Sequence, residues 1–505
     1  MTAVREVAQV RALEAQAMAL LPEGTLMQRA SFGLAVACAG LLESIRGRVV
    51  GSRVCVLAGP GGNGGDALWA GAFLARRGCQ VRAVAIADTV HAEGAAALLA
   101  AGGLLVTDVP DDADLVLDGI AGIGGRVGLS GRAASAVEQA ASGGGLIVAV
   151  DVPSGVDADT GLAGPGAVCA DATVTFGCLK PGVLLAPDHA GLVELVEIGL
   201  PDDGAPVAQV IDAAEVAAFV PGPDIDDYKY ARGVAGLAVG SVQYPGAALL
   251  AAAGARHADI GMVHVLDRGD GIADLVVRDF ADVVRSTQEP SACSRVTAWG
   301  VGPGLAGGAD DEQVVLAVLA AEVPVVLDAG ALSVVASSSA VRAAIADRAA
   351  RGLSTVLTPH EGEFARIATA VATPLPADVG RLVAARTLAA ALAAVVVLKG
   401  PGTVIAPPQG TAWIDAEGTS TLGTAGSGDV LTGITTAVLA GLHARAPRAD
   451  AADVARAVAA AVWLHGRAGR LAPEPATATD IAACVRAAVA SARREAAGSA
   501  LQGSS

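Results

Sequence analysis

The chain has 505 residues, 53% of them hydrophobic and 17% charged, a composition typical of a folded protein with roughly two to four domains. Its net charge of −17 and its pI near 4.8 argue against nucleic-acid binding, which requires a basic face. The seven cysteines (38, 55, 79, 169, 178, 293 and 484) are scattered and form no C-x-x-C pair, so neither a zinc site nor a disulfide framework is predicted, and a reducing cytoplasm is expected.

Neither secretion nor membrane insertion is predicted. The segment from Met1 to Arg11 carries charged side chains and lacks a continuous apolar run, unlike a signal peptide. The most apolar stretches, such as Thr387 to Leu398, are about 12 residues long, which is too short to cross a bilayer. We therefore expect a cytoplasmic protein.

Short apolar runs alternate with alanine-rich helical segments in the first part of the chain. Strands are predicted at 54–57, 81–86, 115–117 and 146–150, with helices near 66–77, 91–101 and 130–142. Near-continuous apolar strands separated by helices indicate a parallel sheet that is covered on both faces.

The same alternation restarts after two turn-rich passages, residues 201–206 and 221–224, so we place a domain boundary between about 205 and 225. Further strands are predicted near 234–239, 260–265, 295–299, 324–328, 354–358 and 394–398, with helices between them and near 451–495. The sequence therefore predicts an α/β fold with two doubly wound domains.

Three strand ends in the first half carry polar residues. A glycine loop, A-G-P-G-G-N-G-G-D, follows the first strand and contains Asn63, while two later strands end in Asp118 and in Asp151-Val152-Pro153-Ser154. A strand, a glycine loop and a helix in this order are typical of a phosphate site at the carboxyl edge of a parallel sheet, although the loop matches neither the dinucleotide fingerprint nor the P-loop. Together these oxygens suit a hard cation, and Asp151 is a candidate for proton transfer; singly, each carboxylate is equally well explained as a turn residue or cap.

The motifs G-N-G-G-D, V-L-D-G-I-A-G-I-G and V-D-V-P-S-G-V-D-A-D-T-G resemble the NAD(P)H-hydrate epimerase family (the YjeF N-terminal domain), over about residues 8–212. The resemblance implies a Rossmann-like three-layer sandwich at residues 1–212, and Lys180 as acid–base partner of Asp151. It also implies a potassium ion held by Asn63, Asp118 and Ser154. The hydrate would contact Asn63, Gly64, Gly65, Asp66, Gly122, Ile123, Gly124, Gly125, Arg126, Val127, Gly128 and Asp151. The family's motif N-N-G-G-D-G reads G-N-G-G-D-A here, so its first asparagine is replaced by Gly62 and its last glycine by Ala67, but the metal-facing asparagine is kept.

The run G-T-A-G-S-G-D-V-L-T-G, residues 423–433, is the most informative in the chain. Glycines let backbone N–H groups approach an anion, and the start of a helix adds a favourable dipole. A carboxylate beside such a site repels a bound phosphate, so Asp429 is better explained as a base acting on a hydroxyl that meets a phosphoryl group. The alternative is that Asp429 only caps the helix.

With T-P-H-E-G-E-F (358–364) and K-G-P-G-T-V (399–404), this run resembles the ADP- or ATP-dependent NAD(P)H-hydrate dehydratase family, over about residues 225–495. The resemblance implies a ribokinase-like domain in which Asp429 takes the proton of the ring-carbon hydroxyl, whose oxygen attacks the terminal phosphate. The amides of 425–428 would stabilise the charge, and Mg²⁺ would bridge the phosphates. The nucleotide would contact Lys399, Gly400, Pro401, Gly402, Thr403 and Gly428, and the hydrate Ala247, Gly304, His360 and Asp429. For His360 alone, a structural histidine is the alternative.

Three positions depart from the dehydratase pattern. V-I-G-G-S reads Val239-Gly240-Ser241, D-A-D-A-L has Gly330 in place of its second aspartate, and P-G-L-G ends in Ala306. None of them lies in the run that contains Asp429, so dehydration remains the expected activity.

Both halves point to one metabolite, and the sequence therefore predicts a bifunctional repair enzyme. The first half would interconvert the R and S hydrates of NADH and NADPH, and the second would dehydrate the S form with hydrolysis of ADP, to AMP, or ATP. The alternatives are a ribokinase-like small-molecule kinase, which uses the same base and anion site, and an N-terminal half that only binds. The resemblance favours ADP and a homo-oligomer but leaves open the nucleotide, the choice between NADH and NADPH hydrates, and the oligomeric state.

Overall fold

The computed structural model describes residues 1–225, 228–373, 375 and 378–502. The chain forms two compact units, one spanning Thr2–Ala208 and one running from Gln209 onwards, which also includes Met1.

The N-terminal unit is a parallel sheet between helices. Its strands are β1 (Thr2–Val4), β2 (Arg53–Ala58), β3 (Gln80–Ala85), β4 (Leu104–Val106), β5 (Leu115–Gly119), β6 (Leu146–Val150), β7 (Ala172–Phe176) and β8 (Leu192–Val196). Its helices are α1 (Val7–Leu20), α2 (Thr25–Arg46), α3 (Gly62–Arg76), α4 (Ala92–Ala100), α5 (Gly131–Ser142), α6 (Pro181–Leu185) and α7 (Pro187–Ala190). The sheet order is β4-β3-β2-β5-β6-β7-β8, and every neighbouring pair is parallel.

Alternate side chains of the central strand β2 enter two different cores. Val54 and Val56 pack with α2 and α3, while Cys55 and Leu57 pack with α5 on the opposite face. The predicted covering of both faces, with three layers, is confirmed. Because β2, β5 and β6 are adjacent and parallel, the loops that follow them open at one edge of the sheet.

Helix α2 is a long apolar helix that the sequence patterns did not single out. It has 22 residues, and an 18-residue window within it has a mean hydropathy of 1.3, so by length and composition it could cross a membrane, in contrast to the predicted apolar stretches of about 12 residues. Half of its apolar window is buried inside the protein, where Leu34, Cys38 and Leu42 belong to the core. A core helix passes the same test, and this one is weak evidence for a membrane.

The second unit contains a larger, mixed sheet. Its strands are β9 (Ala208–Val210), β10 (Val234–Ala238), β11 (Met262–Leu266), β12 (Val283–Ser286), β13 (Ala298–Val301), β14 (Val325–Leu327), β15 (Thr355–Leu357), β16 (Val395–Leu398), β17 (Val404–Ala406) and β18 (Ala412–Ile414). Its helices are α8 (Ala213–Phe219), α9 (Pro245–His257), α10 (Ile272–Asp279), α11 (Ala309–Leu319), α12 (Gly330–Ser337), α13 (Ser339–Ala350), α14 (Glu361–Ala370), α15 (Arg381–Leu392), α16 (Ser427–Arg445), α17 (Ala451–Leu471) and α18 (Ala478–Gln502). From β18 the order runs β17-β16-β15-β14-β13-β10-β11-β12, parallel except where β17 joins β16 and β18.

The position of helix α16 depends on two glycines. A Cβ on Gly433 would lie 2.0 Å from the carbonyl oxygen of Ala251, and one on Gly254 would lie 2.4 Å from that of Val430. Helices α9 and α16 can therefore pack backbone to backbone, which no larger residue at either position permits. This contact fixes the start of α16, where Asp429 lies.

Candidate active sites

A cavity of about 590 Å³ lies at the carboxyl edge of the N-terminal sheet. Residues from the loops after β2, β5 and β6 line it, as the sequence predicted. The predicted residues among them are Asn63, Asp66, Gly122, Ile123, Gly124, Gly125 and Asp151. Gly64 and Gly65 are buried within α3, and Gly64 is needed there because a Cβ would lie 2.1 Å from the oxygen of Gly59. Arg126, Val127 and Gly128 are not among the described residues that line the cavity.

Asp118 and Ser154 form a buried pair beside this cavity. Asp118 is fully buried and accepts hydrogen bonds from the Ser154 N–H (2.8 Å) and from the Ser154 Oγ (2.6 Å). Burial raises the pKa of the Asp118 carboxyl to about 6, and the hydrogen bonds from Ser154 and Ile120 oppose that shift. A buried carboxylate of this kind is stabilised by a neighbouring cation.

The residues around Asp118 fit a hard cation. The Asn63 side chain lies against Gly122, where a Cβ would be 2.8 Å from Asn63 Oδ1, and the buried Asn63 Nδ2 has no hydrogen-bond partner. Carboxylate, amide and hydroxyl oxygens are the donors that such cations prefer. The Gly-to-Ala departure at position 67 is accommodated because its methyl group packs over Gly119.

Asp151 follows β6 in a strained conformation, with φ of 67°, which is uncommon for a residue with a side chain. Lys180 Nζ contacts Asp151 Oδ1 (2.5 Å), Thr175 Oγ1 (3.0 Å) and the Phe176 carbonyl (2.9 Å). The Lys180 side chain is only 1% exposed, so its ammonium lies behind Asp151 and not in the cavity lining. This arrangement suits a lysine that orients Asp151 better than one that meets the substrate itself.

One titratable residue of this cavity was not predicted from the sequence. Glu14 of α1 lines it together with Asp66 and Asp151. Burial, and then the Asp151 charge, raise the pKa of the Glu14 carboxyl. No motif surrounds Glu14, and only its place on helix α1 could have suggested it.

In the second unit, the glycine turn leads directly into α16. Gly426 adopts φ of 87° at the N-cap, Ser427 is the first helical residue, and Asp429 lies in the first turn. The N–H of Ser427 donates to the Thr424 carbonyl (3.2 Å), so that amide is used within the turn. The turn and the helix start are therefore arranged as the run at 423–433 predicted.

Asp429 lies close to a partly buried ion pair. Lys399 Nζ contacts Asp328 Oδ1 (2.8 Å), and Thr432 Oγ1 donates to Asp328 Oδ2 (2.6 Å). Burial and then the Asp328 charge raise the pKa of Asp429 to about 7, while Lys399 opposes the shift. Asp429 is thus poised near neutral pH, as a general base requires. Asp328, absent from the predicted site residues, is what holds Lys399 there.

The Lys399–Thr403 segment is the turn between antiparallel strands β16 and β17. Thr403 Oγ1 donates to the Gly400 carbonyl (2.9 Å), and Lys399 Nζ lies 3.5 Å from where a Cβ on Gly428 would be. Of the predicted nucleotide residues, Lys399 therefore meets Gly428 at the start of α16, and Gly400, Pro401, Gly402 and Thr403 follow it in the same turn.

His360 follows strand β15 and caps the N-terminus of helix α14. Its Nδ1 accepts from the N–H groups of Gly362 (3.0 Å) and Glu363 (3.4 Å), and its ring is more than half exposed. The structural alternative for His360 is therefore a helix cap and not a core residue. Of the other predicted hydrate contacts, Ala247 lies in the first turn of α9. Gly304 adopts φ of 78°, and a Cβ on Gly304 would lie 2.7 Å from the backbone of Gly240.

The structure gives a physical reason for one family departure. A Cβ on Gly330 would lie 2.2 Å from the Leu305 carbonyl oxygen, so the segment Pro303–Ala306 occupies the space that an aspartate would need. Asp311 accepts from the N–H groups of Ala306 and Gly307 (both 2.8 Å) and holds that segment in place. The two departures, Gly330 and Ala306, therefore lie in one packed region.

These features define an α/β enzyme with a carboxylate-lined cavity on one unit and, on the other, a glycine-rich turn with a carboxylate in the first turn of the helix that follows. The family model for the YjeF-related protein N-terminus matches residues 23–182, and that for NAD(P)H-hydrate dehydratase matches residues 235–488. The chain belongs to the family of bifunctional NAD(P)H-hydrate repair enzymes, and the two resemblances inferred from the motifs are confirmed.

Relatives match over most of their length. The chain is 42% identical to the bifunctional NAD(P)H-hydrate repair enzyme Nnr of Mycobacterium leprae over 461 residues, 88% of this chain and 94% of that protein. It is 44% identical to the protein of the same name from Mycobacterium tuberculosis over 432 residues, 85% and 88% of the two chains. Among solved structures, it is similar to the ADP/ATP-dependent NAD(P)H-hydrate dehydratase of Bacillus subtilis co-crystallised with ATP and Mg²⁺, at 28% identity and a TM-score of 0.44, covering 56% of this chain and 99% of that one.

Proposed function

We propose that the protein repairs hydrated NADH and NADPH, with epimerisation of the R and S forms in the N-terminal unit and nucleotide-dependent dehydration of the S form in the second. The family supports this pair of activities. The observation that carries the dehydration step is Asp429, whose carboxyl lies in the first turn of α16 beside Lys399 and Asp328 with its pKa raised to about 7.

Dehydration begins when Asp429 removes the proton of the ring-carbon hydroxyl. The oxygen then attacks the terminal phosphate of ADP or ATP and displaces AMP or ADP, while Lys399 and the amides of Ala425, Gly426 and Gly428 stabilise the charge. Inorganic phosphate then leaves the ring carbon, the neighbouring ring carbon loses a proton to the departing phosphate or to water, and the ring double bond reforms. Coupling to the nucleotide converts a poor leaving group, hydroxide, into a phosphate.

When bound, Mg²⁺ supplies charge neutralisation to the phosphates. Among the described residues no group of three or more His, Cys, Asp or Glu side chains could hold a metal ion. Magnesium in nucleotide sites is bound largely through substrate phosphates, so we place it on the nucleotide.

In the N-terminal unit Asp151 acts as the proton-transfer group, and Lys180 holds its carboxylate in position. Asn63, Asp118 and Ser154 would hold K⁺, which would supply a positive charge at the cavity edge. We propose a cytoplasmic location and domains at residues 1–212 and 225–495.

The test is to supply the purified protein with mixed R and S NADH hydrates, Mg²⁺ and K⁺, and to follow the absorbance of reduced nicotinamide with ADP, with ATP and with neither. Complete, nucleotide-dependent recovery is expected, after subtraction of spontaneous epimerisation. Recovery that stalls at the S fraction contradicts the epimerase assignment. A stable phosphorylated product without NADH recovery identifies a kinase instead.

A further inference from the structure

We propose that His465 of α17 is a positioning residue for the turn at 423–428: by holding Ser427, it fixes the backbone amides on either side of that residue. The inference rests on the proposed function, because it takes this turn as the place where the terminal phosphate of the nucleotide binds.

The contact itself is buried. Ser427 Oγ lies 3.0 Å from His465 Nε2, and the two residues are 3% and 5% exposed. Ser427 stands between two glycines, Gly426 and Gly428, and is the only one of the three with a side chain. Glycine backbones are the most costly to order, so a turn of this composition needs an external support to present its amides in one geometry. The Ser427 hydroxyl is the group through which such a support can act.

Helix α17 also holds the segment that leads into the turn. A Cβ on Gly466 would lie 2.8 Å from Glu417, and one on Gly469 would lie 2.6 Å from Leu422, so the helix packs directly against residues 417–422. Arg467 Nε contacts Glu417 Oε2 (3.0 Å) from the same helix. One helix therefore supports both the segment before the turn, at 417–422, and the turn itself, at Ser427.

His465 is suited to this role because it stays neutral. Burial, with a further contribution from the Lys399 charge, lowers the pKa of His465 to about 4. Its contact with Ser427 is therefore a hydrogen bond between uncharged groups that does not change across the neutral range. A positioning role predicts altered nucleotide affinity and turnover with no change in the apparent pKa set by Asp429.

The experiment compares Ser427→Ala, His465→Phe and the double variant with His443→Phe, a matched control at the far end of α16. Nucleotide KM, dehydratase kcat and the pH dependence of kcat are measured, and the epimerase activity of the same chain serves as an internal control. We expect at least a tenfold rise in nucleotide KM and a fall in kcat for each single variant. The double variant should be no worse than the more impaired single variant, because both act through one contact.

Three results would overturn the inference. The first is a nucleotide KM and kcat within twofold of wild type in both single variants, and the second is additive effects in the double variant. The third is a loss of activity in His443→Phe as large as that in Ser427→Ala or His465→Phe. If His465→Phe does not fold, Ser427→Ala carries the test, because it removes only a hydroxyl, and His465→Gln should restore part of the affinity by keeping a polar partner. If Asp429→Asn abolishes dehydration while the pair variants behave as wild type, this inference fails and the proposed function stands.

Discussion

Replacing Asp429 with asparagine tests the proposed chemistry most directly. Asparagine keeps the shape of the side chain but cannot accept a proton, and a positioned general base typically contributes about 10²- to 10⁴-fold to a rate. We therefore expect Asp429→Asn to lower dehydratase kcat by a factor in that range while leaving nucleotide KM nearly unchanged. Epimerisation by the same chain should be unaffected.

The raised pKa of Asp429 adds a second readout, the dependence of kcat on pH. A pKa of about 7 means that the base is half ionised at pH 7, and roughly a tenth ionised at pH 6. The wild-type rate should therefore fall about tenfold between pH 8 and pH 6, and the residual rate of the variant should lack this step. Wild-type turnover in the variant, or a residual rate that still titrates near pH 7, would refute the assignment.

Stability measurements separate lost chemistry from lost folding. Because the folded-state pKa of Asp429 lies above its ordinary value of 3.8, the folded state holds its proton more tightly than the unfolded state. The stability linked to that proton is fully present below about pH 4 and is lost as the pH rises to about 7. The melting temperature of Asp429→Asn should therefore rise relative to that of wild type as the pH increases from about 4 to about 7. Asp310→Asn, an exposed carboxylate of α11, is the matched control.

Three further predictions concern other parts of the chain. Asp151→Ala should abolish epimerisation alone, so that mixed hydrates recover only to the S fraction; parallel loss of both activities would indicate misfolding. Exchanging K⁺ for Li⁺ should slow epimerisation and leave dehydration of pure S hydrate unchanged. Asn63→Ala should remove this dependence of epimerisation on the ion. Equal effects of the exchange on epimerisation and dehydration would contradict the K⁺ site. Gly330→Ala should destabilise the protein by about 1–3 kcal/mol, since its Cβ would lie 2.2 Å from the Leu305 carbonyl. The control Gly498→Ala, in open space on α18, should leave the melting temperature unchanged or raise it, because alanine favours a helix over glycine. A melting temperature of Gly330→Ala no lower than that of wild type would refute the packing argument.

The class of fold and the positions of both candidate sites along the chain follow from the order of the amino acids alone. Buried parallel strands such as β2 and β16 read as apolar runs because both of their faces are covered. Glycines mark close backbone approaches that cannot be made otherwise, and for this reason the pattern at 423–433 is enough to predict a turn at a helix start. The strands that were not predicted are β1, β4, β7, β8, β9, β12, β17 and β18. Most of them are short or lie at or near a sheet edge, where the periodic signal is weak. The internal strand β7 is five residues long and buried throughout, and its run A-T-V-T-F was missed because threonines interrupt the apolar pattern.

Which side chains meet depends instead on tertiary packing. Lys180 lies behind Asp151, Glu14 enters the cavity from α1, and Gly330 faces the backbone of Leu305. Asp328 is 71 residues from its partner Lys399, and Ser427 is 38 residues from His465. No local pattern encodes contacts of this kind, because burial and distance between remote segments are set by how the helices and strands of the whole domain pack.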